Sequence, residues 1–259
     1  MAYQATVASY THLEVRKLHL VDLFDALDKG IDDFRAKPTH LFFLAVIYPA
    51  ATLFAAMVIG DGDLMPLVFP MLSGLVLIGP FVGLAMEEMS RHREKGLDMS
   101  WSHAFNFFSS PSFRDIAILG LLTIALFLLW VGVADTIYVM TLGDSWQVSM
   151  EEFTRSVLTT RAGWTLIIVG NAVGLMFAIT SLCIGVVSFP LLLDRQVGVA
   201  TAVETSVRAV MANPVVMAVW GIIVAVSLFI GALPLLVGLS VVIPVLGHAT
   251  WHLYRKVVV

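Results

Sequence analysis

Six apolar stretches divide this chain, at roughly residues 40–60, 65–89, 116–142, 164–193, 214–232 and 233–254. A hydrocarbon core about 30 Å thick takes about 20 helical residues to cross, because each advances the axis by about 1.5 Å. The pattern predicts an all-α, polytopic membrane fold, with six transmembrane helices over residues 40–259 and an N-terminal segment over residues 1–39. Within that segment the period is that of an amphipathic helix. Leu23, Phe24, Leu27, Ile31 and Phe34 fall on one face, with Asp25, Asp28, Lys29, Asp32 and Asp33 opposite. An interfacial helix is expected over 22–37, with Asp22 as N-cap and Pro38 as its stop.

The connections have patterns of their own. After the second stretch, Gly96 leads into a short amphipathic segment carrying Trp101, Phe105 and Phe108 and ending at Ser110-Pro111. After the fourth, Gly198 leads into one carrying Val203, Val207 and Val210 and ending at Asn213-Pro214, with Thr201 and Glu204 at capping-box spacing. Both follow a stretch that ends in charge. This predicts a helix-hairpin pseudo-repeat, spans 2–3 and 4–5 being degenerate copies in the same orientation. Between the third and fourth stretches, Ser149-x-x-Glu152 predicts a short helix on the other side of the membrane. Gly79-x-x-x-Gly83 and Gly170-x-x-x-Gly174 suit close helix packing. Pro80, Pro190 and Pro244 interrupt spans, and Ser240 is placed to satisfy a carbonyl that Pro244 orphans.

Composition agrees with the pattern: 59% hydrophobic, 13% charged, mean hydropathy +0.91. Charge then orients it. Thirteen of the 15 Lys and Arg residues fall in the N-terminal segment, the second-to-third and fourth-to-fifth connections, and the C-terminus; the opposite side has only Arg155 and Arg161. Positive residues in short loops stay cytoplasmic, so both termini are expected inside. The first 20 residues hold no apolar run, and no cleavable signal peptide is expected. The net charge of −4 argues against a nucleic-acid partner. The single cysteine, Cys183, reads as a small buried hydrophobe.

Candidate chemistry is sparse. Asp135 sits inside the third stretch, where a bare carboxylate costs about 2.5–3.5 kcal/mol on insertion scales. It is either an intramembrane polar site with Asn171 or a residue near the interface paired with Arg161. Glu87, Glu88, Arg91, Asp194 and Arg195 lie at equivalent ends of the second and fourth stretches and predict a cytoplasmic-end polar cluster joining the two copies. His248 and His252 are four apart, with His40 at similar depth, a spacing open to haem or metal ligation. Trp251, Tyr254, Arg255 and Lys256 around them favour an interfacial anchor instead, so no metal and no cofactor is expected. No phosphate-binding loop, nucleophile elbow, His-Glu-x-x-His or Cys-x-x-Cys is present, and an enzyme is not expected.

Three runs carry a family resemblance: Ser188 to Gly198, Ser206 to Pro214, and Pro244 to Arg255, with Gly79 to Gly96 adding Glu87, Arg91 and Arg93. They resemble a bacterial family of integral membrane proteins catalogued as domain of unknown function 2189. The resemblance implies six spans in the inner membrane of a Gram-negative bacterium and no established activity. Some members are loosely labelled as relatives of cytochrome c oxidase subunit one, which needs about twelve spans and six intramembrane histidines; here only His248 and His252 qualify. The sequence leaves three functions open. The first is a non-enzymatic accessory or assembly subunit of a larger membrane complex such as a respiratory one, with the bilayer and a membrane protein as partners. The others are a small transporter or permease, and a haem- or metal-binding membrane protein.

Overall fold

The computed structural model describes residues 13–60, 67–74, 79–99, 106–143 and 150–259. Those residues are helical apart from turns, connecting segments and one isolated bridge. The helices are α1 (Leu20–Ala36), α2 (His40–Gly60), α3 (Val68–Gly74), α4 (Gly79–Val82), α5 (Leu84–Glu94), α6 (Phe113–Leu142), α7 (Met150–Thr159), α8 (Arg161–Gly185), α9 (Ser188–Asp194), α10 (Val199–Ala212), α11 (Pro214–Ala232) and α12 (Leu239–Val257).

Three described helices are long and apolar enough to cross a membrane: α6, the run Arg161–Asp194 formed by α8 and α9, and α11. Their outward faces carry Leu121, Leu128 and Leu129, Ile168, Leu175 and Met176, and Ile222, Phe229 and Ile230, all exposed. In water each Å² of such surface costs about 25 cal/mol, a penalty that lipid removes. The remaining expected spans are less plain. The stretch 65–89 is divided among α3, α4 and α5. The stretch 40–60 is one helix with Pro49 inside it. The sixth begins later than expected, because residues 233–238 form the turn between α11 and α12, with Leu235 and Leu236 at positive φ. The end of α12 carries His248, Thr250, His252, Arg255 and Lys256, which lower its hydropathy.

The breaks have local causes. Pro190 has no N–H to give the carbonyl of Val186, and the chain turns at Val186–Val187 between α8 and α9. α10 ties down this turn: Val187 N–H donates to Ser206 Oγ at 3.2 Å, and Ser188 Oγ donates to Ala202 O at 3.1 Å. Pro80 packs its ring on Gly185, where a Cβ would lie 3.0 Å from Pro80 Cγ. The interruptions of the second and fourth stretches therefore meet. Gly96 (φ +70°) and Gly198 (φ +80°) open their two connections in a conformation that favours glycine.

Several local expectations are corrected. His19, not Asp22, is the N-cap of α1; Asp22 sits inside the first turn and accepts from His19 N–H at 2.8 Å. Gly198 caps α10, and the Thr201-x-x-Glu204 spacing falls within that helix. Ser240 donates to Val237 O in the preceding turn at 2.7 Å, not to a carbonyl orphaned by Pro244. Ser149, Trp101 and Phe105 lie outside the described residues. α7 does begin directly after Ser149.

The core sits at one end of the bundle, where α1, α5, α9, α10 and α12 meet around Leu23, Leu84, Phe189, Leu192, Trp251 and Tyr254, all fully or almost fully buried. α1 packs chiefly on α12 and buries Leu23, Ala26, Gly30 and Asp33, one helical stripe. This corrects the expected faces: Asp33 points inward and Phe24 outward, 64% exposed. The chain's two ends are tied together beside this core. Arg16 N–H donates to Val257 O at 2.8 Å, and Val259 N–H donates to Glu14 O at 3.1 Å, making the isolated bridge Val15–Val258. Asn213 binds the same segment, accepting from Leu18 N–H at 2.7 Å and donating to Arg16 O at 3.0 Å.

Candidate functional site

The richest chemistry lies where α1, α5 and α12 face one another. Asp33 from α1 is 3% exposed. Its Oδ2 is 2.8 Å from His252 Nε2 and accepts from Ser90 Oγ, and its Oδ1 pairs with Arg93. Ser90 Oγ is also 2.8 Å from His248 Nδ1, and His248 is fully buried. The spacing explains why these groups converge. Ser90 and Arg93 are three apart on α5, and His248 and His252 four apart on α12, so each pair shares one helix face. Glycine allows the approach: a Cβ on Gly30 would lie 2.8 Å from the Ala249 backbone nitrogen, and one on Gly247 would lie 2.9 Å from Met86 Cβ.

Burial by itself would raise the Asp33 carboxyl. The hydrogen bonds from His252, Ser90 and Arg93 outweigh it and hold the group down to about 2. Asp33 is thus a fixed anion. Above it opens a cleft of about 320 Å³ lined by Lys29, Asp32, Asp33, Ser90, Arg93, Glu94 and His252. One turn deeper on α5 lies Glu87, fully buried, with neither carboxyl oxygen bonded to anything. Its Oε1 and the Gly247 Cα each lie 3.5 Å from the point where a Gly83 side chain would begin, so the carboxyl sits at the α5–α12 crossing.

A second group of charges lies alongside. Glu88 is also fully buried but is gripped by Arg91 at 2.6 and 2.9 Å and lies 3.4 Å from His92. Arg255 bridges Glu94 at 3.0 Å and Asp194 at 3.5 Å, linking the ends of α5 and α9 through α12. Asp194 also accepts from Tyr254 Oη at 2.8 Å and lies 3.7 Å from Arg195; Trp251 Nε1 donates to Glu94 at 2.9 Å. Arg255 is held above its usual range, burial being outweighed by Glu94 and Asp194. Lys256 reaches Asp25 at 2.8 Å and Asp22 at 3.4 Å on α1. Against the opposing effect of burial, the His19 N–H and then Lys256 hold the Asp22 carboxyl below its usual range, and Lys256 and Lys29 do the same for Asp25.

Of the residues singled out in the sequence, Glu87, Glu88 and Arg91 therefore lie on α5, and Asp194 and Arg195 lie at the end of α9. Among the described ion pairs, α12 connects these ends; no pair joins Glu87 or Arg91 directly to Asp194 or Arg195. His248, Trp251 and Tyr254 are not interfacial anchors: all three are buried, because α1 and α5 cover them. His40 contacts the Phe34 ring edge-on at 6.5 Å. Among the described residues no group of three or more His, Cys, Asp or Glu is placed to hold a metal ion. Asp135 is half-buried with Oδ1 unbonded, and Asn171 donates to Ile167 O on its own helix at 2.8 Å, so the two are not joined. No described ion pair joins Asp135 to Arg161.

Asp33, Ser90, Arg93 and Glu94 were not singled out as site residues in the sequence. The available signal was Gly30, whose stripe with Leu23, Ala26 and Asp33 marks a close-packed face. Ser90, His248 and Asp33 have the composition of a catalytic triad but not its connectivity. The aspartate bonds the serine, not the histidine that would take the serine's proton, and the hydroxyl is buried.

Residues 68–194 match the family described as predicted integral membrane protein, domain of unknown function 2189. No curated protein and no solved structure matches the chain.

Proposed function

We propose that this integral membrane protein is a six-span, non-enzymatic protein of a bacterial inner membrane, with both termini cytoplasmic, which handles a small cation or proton as a transporter does. The imbalance of basic residues supports the orientation. The Val15–Val258 bridge supports an even number of crossings, since it keeps both ends on one side. The matching glycines at 96 and 198 favour the pseudo-repeat.

The observation that carries the function is Glu87. A fully buried carboxyl without a partner costs several kcal/mol unless it is neutralised, so its place at a crossing of interrupted helices calls for a proton or cation. An accessory subunit that acts only by association has no need of such a group. The test is ion flux. The purified chain is reconstituted in vesicles loaded with a pH-sensitive dye, and a potassium diffusion potential is imposed with valinomycin. Acidification above that of protein-free vesicles, lost in Glu87→Gln, is expected. No flux, together with a membrane protein that co-purifies in mild detergent, would favour the accessory role.

A further inference from the structure

We infer that the cleft between α1 and α5 binds a phosphate ester carrying a primary ammonium, the headgroup chemistry of phosphatidylethanolamine. The inference is independent of ion handling, because it concerns the cleft above Asp33 and not Glu87. The cleft opens between α1 and the last turns of α5 and α12, which carry Arg91, His92 and Arg93, and Arg255 and Lys256. Basic helix ends of this kind mark the level of lipid headgroups. Its volume of about 320 Å³ admits a small polar group.

The groups on its walls that are still free to bond decide the ligand. Asp33 is saturated, because Arg93, His252 and Ser90 all bond it. Glu94 is occupied by Arg255 and the Trp251 N–H. Arg93 is not. Among the described residues only its Nη1 is engaged, the side chain is 42% exposed, and a guanidinium has five N–H donors. Lys29 has to share its acid, since Asp25 takes both Lys29 at 2.9 Å and Lys256 at 2.8 Å. Two cations with unused donors suit an oxyanion, and the planar guanidinium suits a phosphate in particular.

Asp32 supplies the opposite sign. Its ion pair with Arg35 is long, at 3.8 Å, and its side chain is 56% exposed. It lies three residues from Lys29 on α1, so the two share a helix face. A simple anion in the cleft would be repelled by Asp32, and a simple cation by Arg93 and Lys29. A ligand of both signs satisfies all three. A carboxylate accepts hydrogen bonds, so it selects a primary ammonium, with three N–H donors, over a quaternary one, which has none.

The experiment is native mass spectrometry of the purified full-length protein in mild detergent, offered phosphatidylethanolamine, phosphatidylglycerol and phosphatidylcholine in equal amounts. The first should be retained about tenfold better than the others, the scale of one hydrogen bond to a charged group. Phosphatidylglycerol keeps the phosphate but lacks the amine, and phosphatidylcholine keeps both charges but lacks the N–H donors. Asp32→Ala, at an exposed position, should erase the preference, whereas Arg93→Gln should weaken all three lipids together. If Arg93→Gln does not fold, Lys29→Gln replaces it with the same expectation. Equal retention of the three lipids by wild type, or a preference that survives Asp32→Ala, overturns the inference. Soluble glycerophosphoethanolamine separates the sources of the headgroup. Its failure to displace the lipid supports a bilayer ligand, and displacement at equal concentration would overturn that assignment in favour of a soluble ester.

Discussion

Replacing Asp33 by Asn removes one charge from the centre of the polar cluster while keeping its shape. The folded carboxyl titrates at about 2 against an ordinary 3.8, and its side chain is 5% exposed, so solvent screens it little. A depression of that size corresponds to about 2 kcal/mol of stability at neutral pH. Removing one member of a fully buried ion pair costs about 3–5 kcal/mol, but Arg93 is 42% exposed and rehydrates, so the lower figure applies. The sign follows from the depressed value. The contribution is complete above the unfolded carboxyl's titration and is lost as pH falls through the folded one, with about half of it left near pH 3. Thermal unfolding in detergent, followed by tryptophan fluorescence, should therefore show Asp33→Asn melting lower than wild type at pH 7 and the gap narrowing below about pH 4. Every other carboxylate titrates in both proteins, so the difference isolates Asp33. Equal melting at pH 7, or a gap that persists undiminished at pH 3, would refute the argument.

Tyr254→Phe removes the hydroxyl that donates to Asp194 but leaves Arg255 and Arg195 beside the carboxylate, so a loss of about 1 kcal/mol is expected from denaturation midpoints, and a loss above about 3 would mean that Tyr254 holds α9 in place. A reporter active only outside the cytoplasm should give no signal when fused after Val259 and a signal when fused at Asp63; the reverse pattern would invert the orientation.

The sequence announces the apolar helices and hides the polar centre. Length and hydropathy locate α6, α11 and the Arg161–Asp194 run because a lipid-facing helix is apolar all round, and no partner is needed to see it. The second and sixth stretches are harder because part of their surface faces protein. Glu87 and His248 are covered by other helices and do not mark where the membrane ends. The aromatic and basic residues at 251–256 have the composition of an interfacial belt, yet Trp251 and Tyr254 are buried, and their polar ends bond Glu94 on α5 and Asp194 on α9, 157 and 60 residues earlier in the chain. Asp33 shows the same limit. Judged by polarity it joins Asp32 on the wet face; judged by spacing it continues the Leu23, Ala26, Gly30 stripe. The choice between those two depends on Ser90, Arg93 and His252, which no local pattern connects to it.

The N-terminal helix is therefore the cover of the polar centre, and Gly30 is the position on which that cover depends. A side chain there would meet the nitrogen, Cα and Cβ of Ala249 at 2.8–2.9 Å, and two of those atoms are backbone, which no rotamer change can move aside. Gly30→Leu must then separate α1 from α12. Overpacking of this kind costs about 1–3 kcal/mol. The larger consequence is that Asp33 is withdrawn from Ser90 and His252, and Lys256 from Asp22 and Asp25. The expected result is a lower melting temperature, with α1 cut by protease while the remaining helices stay protected in the membrane. Gly30→Ala should show the same direction with a smaller shift. If Gly30→Leu melts like wild type and α1 stays resistant to protease, α1 is not packed on α12 as described, and the assignment of Asp33 to the buried cluster falls with it.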